Sequence, residues 1–106
     1  MLIAWTTVAS RPDAERLAAE IIALNLAVCV QIDGPVTSVY RWKEQVERAT
    51  EFRLSLKFLP GQSTELSAWV QANHPYETPE WIVVRASEVG EKYLSWAGAL
   101  PTNPPL

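Results

Sequence analysis

The chain has 106 residues, 48% of them hydrophobic, and a net charge of −3 at pH 7. This length fits one domain with a real core, so we expect residues 1–106 to form a single domain. Basic and acidic residues are interspersed, which argues against a nucleic-acid binder because such a protein shows a basic stripe. No run approaches the roughly 20 apolar residues that span a bilayer. Because there is also no N-terminal secretion signal, we expect a cytoplasmic protein without membrane insertion.

The first third of the chain predicts a strand followed by a helix. The run "LIAWTTVA" is apolar and β-branched, as in a buried strand. Ser10 is placed to cap a helix, and apolar residues then recur at helical spacing as far as Leu24. Asn25 suits the left-handed position that ends many helices.

The middle of the chain predicts a long β-hairpin. One arm runs from Val28 to Trp42 and the other from Val46 to Phe58. The second arm contains "EFRLSLKF", whose strict alternation gives it one apolar and one polar face. "DGP" at residues 33–35 indicates a bulge or turn within the first arm. At about 3.3 Å per residue each arm reaches roughly 40 Å, so we expect a partner chain to cover the outer end.

The second half adds a helix over residues 63–72, a strand in "EWIVVRA", a short helix in "EKYLSWAGAL" and an irregular tail, "PTNPPL". The order β-α-β-β-α-β with a terminal helix predicts an α+β, ferredoxin-like fold: an antiparallel sheet with helices on one face. The opposite face would be left bare. Together with the projecting hairpin, this bare face indicates an oligomer.

The stretch "NHPYETPE" contains the only histidine, His74. Pro75 disfavours helical backbone at His74, so the preceding helix must end there. The stretch is thus first a rigid corner. A lone histidine is otherwise either a metal or catalytic group or one that bonds a nearby carbonyl or carboxylate, and the sequence leaves both open. Glu77 is either an acid–base group or a solvated turn carboxylate.

Three further residues are candidates for ligand binding. Tyr40 and Trp42 lie at the hairpin end, where aromatic residues also suit a subunit interface. Lys57 lies on the polar side of its strand, either paired with a carboxylate such as Glu77 or facing water. The single cysteine, Cys29, excludes an intrachain disulfide and is expected to be a small buried residue.

Several of these motifs together resemble one family. "LAVCVQIDGPVTSVYRWKEQVE", "HPYETPE" and "KYLSW" are similar to segments of the CutA divalent-cation-tolerance family, and the resemblance extends from Thr6 to Trp96. It implies a ferredoxin-like subunit in a homotrimer similar to the PII signalling proteins, with inward sheets and hairpins that clasp neighbours. It also implies a link to tolerance of copper and other divalent ions.

The resemblance implies a metal ligand only at His74. Ligand proposals for some bacterial members use a cysteine at the end of the first strand and a histidine pair before "PY". This chain has Thr6 or Thr7 in the first place and "NH" in the second. We therefore expect weak binding of copper or another divalent cation that depends on His74.

These considerations predict a trimeric, non-enzymatic binding or regulatory protein linked to divalent-ion tolerance. The predicted ligand-binding set lies in a cleft between subunits and comprises Tyr40, Trp42, Lys57, Tyr76 and Glu77. One alternative is an enzyme of unknown reaction that uses such a cleft. The other is a trimeric anchor for another protein.

Overall fold

The computed structural model describes residues 1–100, which form a four-stranded antiparallel sheet and three α-helices. The elements in chain order are β1 (Leu2–Val8), α1 (Arg11–Ala23), β2 (Cys29–Trp42), β3 (Gln45–Phe58), a 3-10 turn (Pro60–Gln62), α2 (Ser63–Asn73), β4 (Ile82–Arg85) and α3 (Glu91–Ala99). The strand order is β2-β3-β1-β4, and the predicted ferredoxin-like α+β fold is confirmed. The predicted irregular tail, residues 101–106, lies outside the described residues.

Helix α1 begins and ends where the sequence predicts. The Ser10 side chain accepts a hydrogen bond from the Asp13 backbone N–H at 3.2 Å, which satisfies one of the free donors of the first turn. Asn25 follows the helix with φ 59°, the left-handed conformation that asparagine tolerates better than most residues.

The core lies between one face of the sheet and the helices α1 and α2. Along β3 the side chains of Leu54, Leu56 and Phe58 are fully buried, while Arg53 and Lys57 face the other side of the sheet. Burying each such apolar side chain contributes about 1.5–3 kcal/mol. The helices supply the other half of this core through Leu17, Ile21, Leu66 and Val70.

Helix α3 departs from the expectation that the helices share one face. The ammonium of Lys57 lies 6.0 Å from the centre of the Tyr93 ring, so α3 approaches the face opposite to α1 and α2. The core face is already covered by those two helices, which leaves the other face for α3. Of its side chains, Ala97 is buried. Within residues 1–100, no helix combines the length and apolar character needed to cross a membrane.

The β2–β3 hairpin is the longest feature of the molecule. Its arms pair from Cys29–Lys57 out to Trp42–Gln45, with a register shift between Asp33 and Val36 where a bulge was predicted. Lys43 and Glu44 form the connection, with φ 49° and 66°, as in the two-residue type I′ turns of hairpins. The principal extents are 47 × 31 × 22 Å, as expected for a projecting arm.

Candidate ligand-binding groove

An open groove lies where the hairpin meets the segment between α2 and β4. Its volume is about 770 Å³, within the roughly 300–1,000 Å³ typical of small-molecule sites. It contains four of the five ligand-binding residues predicted from the sequence. The lining residues are Thr7, Ser38, Val39, Tyr40, Trp42, Ala49, Glu51, Tyr76, Glu77, Thr78 and Glu80.

Strand pairing accounts for the hairpin side of this groove. Ser38, Tyr40 and Trp42 alternate along β2 and therefore share one face. Ser38 is paired with Ala49 on β3, so Ala49 and Glu51 join the same face. This is the face opposite to α1 and α2. The groove therefore occupies part of the sheet surface that the sequence predicts to be bare.

A buried carboxylate holds the corner segment against the hairpin. The Tyr76 hydroxyl donates to Glu51 Oε2 at 2.7 Å, and Glu51 is only 8% exposed. Burial raises the pKa of Tyr76, and the hydrogen bond to Glu51 raises it further. The phenol therefore stays protonated and remains a donor. Glu51 was not among the predicted site residues, because in the sequence it stands among charged neighbours that look solvent-exposed.

His74 supports the corner from behind the groove. Its Nδ1 accepts a hydrogen bond from the Tyr76 backbone N–H at 3.0 Å. Its Nε2 lies 3.0 Å from both the Thr7 carbonyl oxygen and the Thr6 hydroxyl, so Nε2 carries the proton and donates. Burial lowers the pKa of His74, and the ring is therefore neutral near pH 7. Both ring nitrogens are engaged inside the chain.

The rigid corner predicted from "NHPYETPE" is confirmed. Helix α2 ends at Asn73, and His74 has extended backbone with φ −70° and ψ 138°, as expected before Pro75. Beyond Pro79, the indole N–H of Trp81 donates to the Ser67 hydroxyl at 3.2 Å and ties the end of the corner back to α2. Tyr76 and Glu77 are thus presented by a braced segment.

Lys57 does not join the groove. Its ammonium donates to Gln31 Oε1 at 2.7 Å, and it is paired with Cys29 and Ile3 on the neighbouring strands. This position is on the same sheet face as the groove but near the opposite end of the hairpin arms. Within one chain, Lys57 and Glu77 are therefore not paired.

The described residues offer no ready metal site within one chain. Residues 1–100 contain no group of three or more His, Cys, Asp or Glu side chains that could hold a metal ion. The resemblance to the family places metal ligands at the end of β1 and at His74. In this chain the Thr6 hydroxyl stands at the end of β1 and is hydrogen-bonded to the imidazole of His74. A threonine hydroxyl is a poor substitute for the thiolate that a soft metal prefers. That His74 binds a metal stays a prediction.

Fold and groove together define a class: a small ferredoxin-like α+β domain with a concave site at the junction of a long hairpin and a proline-braced corner. Residues 2–99 match the family model described as CutA1 divalent ion tolerance protein, and the chain belongs to that family. The divalent-cation tolerance protein CutA of Yersinia pestis is 31% identical over 98 residues, which cover 92% of this chain and 82% of that protein.

Solved structures agree with this assignment. CutA from Synechococcus elongatus has a TM-score of 0.88 at 34% identity, with 92% of this chain and 87% of the other covered. The divalent cation tolerance protein of Thermus thermophilus has a TM-score of 0.86 at 33% identity, with coverages of 92% and 95%. The resemblance to this family predicted from the sequence motifs is therefore confirmed.

Proposed function

We propose that this protein is a trimeric, non-enzymatic binding or regulatory protein of the cytoplasm, linked to tolerance of divalent ions such as copper. The observation that carries the proposal is the groove, which brings Tyr40, Trp42, Tyr76 and Glu77 together around the buried Glu51. The whole chain, residues 1–106, acts as a single domain in this proposal.

The state of the polar groups supports binding rather than catalysis. His74 has both ring nitrogens engaged in internal hydrogen bonds, which leaves none free to exchange a proton with a ligand. The Tyr76 hydroxyl is committed to Glu51 and its pKa is raised. A general acid or base works best with a pKa near the operating pH, and Tyr76 does not meet that condition.

The trimer is supported by the apolar surface that one chain leaves exposed. Val39, Trp42 and Val46 on the hairpin are each more than half exposed. The groove opens beside this surface, so a neighbouring subunit would close it into a cleft. Lys57 would join the ligand-binding set only if it came from such a neighbour.

A divalent ion would bind weakly in this proposal. To coordinate a metal ion, the His74 imidazole must lose its hydrogen bond with either the Tyr76 amide or the Thr7 carbonyl. Further metal ligands would have to come from another chain. Calorimetric titration with copper on the native protein and on His74→Ala tests this, with weak binding lost in the variant. Equal affinity in both would place the metal elsewhere.

Thermal unfolding with a panel of metabolites tests the groove as a binding site. A ligand present at about 100 times its Kd should raise the free energy of unfolding by roughly 2.7 kcal/mol and should be recovered unchanged. Trp42→Leu should abolish the shift, whereas Trp96→Leu, a similarly exposed tryptophan outside the groove, should retain it. Conversion of the ligand would favour the enzyme alternative, and no shift with any compound would contradict the proposal.

A further inference from the structure

We infer that the groove binds an organic ammonium cation, a small molecule that carries at least one positively charged nitrogen on a carbon frame. This inference rests on the proposed binding function and names the chemical class of the ligand. It is carried by three properties of the groove: the sign of its charges, a carboxylate oxygen without a partner, and aromatic walls.

The charged side chains that line the groove are all acidic. They are Glu51, Glu77 and Glu80. Arg53 lies close enough to Glu80 for their charges to interact, but its guanidinium is already paired with Asp33 through contacts of 2.7 and 3.4 Å. The groove therefore favours a positively charged occupant and disfavours an anion.

Glu51 supplies an oxygen that is free to accept a hydrogen bond. Tyr76 occupies Oε2, whereas Oε1 has no hydrogen-bond or ion-pair partner among residues 1–100. Every fully buried side-chain oxygen and nitrogen in this part of the chain has a partner. Oε1 is therefore accessible to solvent, and Glu51 lines the groove. A carboxylate in a residue 8% exposed forms stronger hydrogen bonds with charged donors than one in bulk water.

The walls favour an organic cation over a bare metal ion. Tyr40, Trp42 and Tyr76 line the groove together with Glu51. Aromatic faces attract ammonium groups, and quaternary and alkylated ammonium ions are recognised in this way. The aromatic faces themselves offer no lone pair to a divalent ion, and the hydroxyl of Tyr76 is engaged with Glu51. The groove is also large enough for a carbon frame rather than for one ion alone.

Calorimetric titration of the full-length protein with 1,4-diaminobutane and with tetramethylammonium tests the inference. At least one should bind with one site per chain, while 1,4-butanediol and succinate, a neutral and an anionic analogue of similar length, should bind at least tenfold more weakly. Glu51→Gln keeps an acceptor for Tyr76 and should weaken binding of the cation at least tenfold. Glu88→Gln, an exposed carboxylate outside the groove, should leave the affinity unchanged.

Trp42→Leu gives a second test, at a side chain that is 54% exposed within one chain, and the result is used only if the variant keeps the oligomeric state of the native protein. It too should weaken binding of the cation at least tenfold, with Trp96→Leu as its matched control. Tighter binding of succinate or butanediol would overturn the inference while leaving the proposed binding function intact. Cation binding that is equal in all variants would also overturn it. If no compound of the broader metabolite panel stabilised the protein, the proposed binding function itself would be wrong.

Discussion

The side chains of His74 and Tyr76 connect the corner to neighbouring strands through hydrogen bonds. His74 accepts a hydrogen bond from the Tyr76 amide and donates one to the Thr7 carbonyl. It thereby joins the end of α2 to β1. Its ring is 5.0 Å from that of Tyr76, which in turn binds Glu51 on β3. A continuous set of hydrogen bonds therefore runs from the first strand through the corner to the hairpin, and the groove depends on it.

Protonation of His74 should weaken the folded state. Burial lowers its pKa, against smaller opposing effects of the Thr7 carbonyl, Glu51 and Asp13. Below the unfolded-state pKa of about 6.5, the unfolded chain binds a proton that the folded chain does not. Stability therefore falls as pH drops below that value and is fully retained above it.

Urea unfolding between pH 7.5 and 5 measures this effect. Because His74 is the only histidine, His74→Gln should remove the decline between pH 6.5 and the lowered native pKa. The slope against pH is compared, not the absolute stability, since the substitution also disturbs the hydrogen bonds. An unchanged slope in the variant would show that the decline comes from other groups.

Sequence alone located the corner but not the partners of its residues. Pro75 acts on its immediate neighbour, so the end of α2 could be predicted locally. The bond between Tyr76 and Glu51 joins residues 25 apart and exists only once the hairpin has folded back on the sheet. The sequence-based expectations did not include this bond, because it depends on long-range pairing that local patterns do not contain. That Lys57 belongs to the ligand-binding set stays a prediction, since within one chain it lies away from the groove.

In the hairpin, too, the local features could be predicted from the sequence, whereas the long-range consequences could not. Alternation in β3 predicted which side chains are buried, because the period of two is a property of the strand itself. The bulge was predicted from Asp33–Pro35, but its effect on the groove was not. It shifts the register between Asp33 and Val36 and so sets which residues of the outer arm share a face with Glu51.

Gly34 in this bulge should tolerate no side chain. Its φ is 151°, and an added Cβ would lie 2.7 Å from Phe52 Cδ2 and 3.1 Å from the Glu51 carbonyl oxygen. Gly34→Ala should therefore cost roughly 1–3 kcal/mol of stability through backbone strain and overpacking. Denaturant unfolding at a fixed protein concentration measures the loss.

Gly98→Ala is the matched control for this change. Gly98 lies within α3, and an added Cβ would meet nothing within 4 Å. Alanine in a helix interior is favoured over glycine by about 0.5–1 kcal/mol, so this variant should be more stable than the native protein. If the two alanine variants had the same stability, crowding at Gly34 would not be the reason for the glycine.

For the whole molecule, the distribution of apolar side chains is uneven. The core between the sheet and two helices is fully covered, while the opposite face and the outer hairpin expose large apolar residues. On β4, Ile82 is paired with Trp5 and Val84 with Ile3, which places them on this uncovered face. Ile82 is 51% and Val84 38% exposed. A contiguous surface of this kind usually marks a protein interface.

We expect this surface to form the interfaces of an obligate trimer. Burying about 1,000 Å² of apolar area per subunit would contribute on the order of 25 kcal/mol before the cost of association. Sedimentation velocity at low micromolar concentration should show one species of three subunits.

Charge introduced into this surface should dissociate the trimer, because a carboxylate buried without a partner is strongly unfavourable. Ile82→Glu and Val84→Glu should each shift the protein towards smaller species, and the effect should increase on dilution. Ile22→Glu places the same charge at an exposed apolar residue of α1, on the helical side of the sheet, and should leave the trimer intact. A folded monomer of the native protein at micromolar concentration, or equal dissociation by all three substitutions, would show that the uncovered face is not the interface.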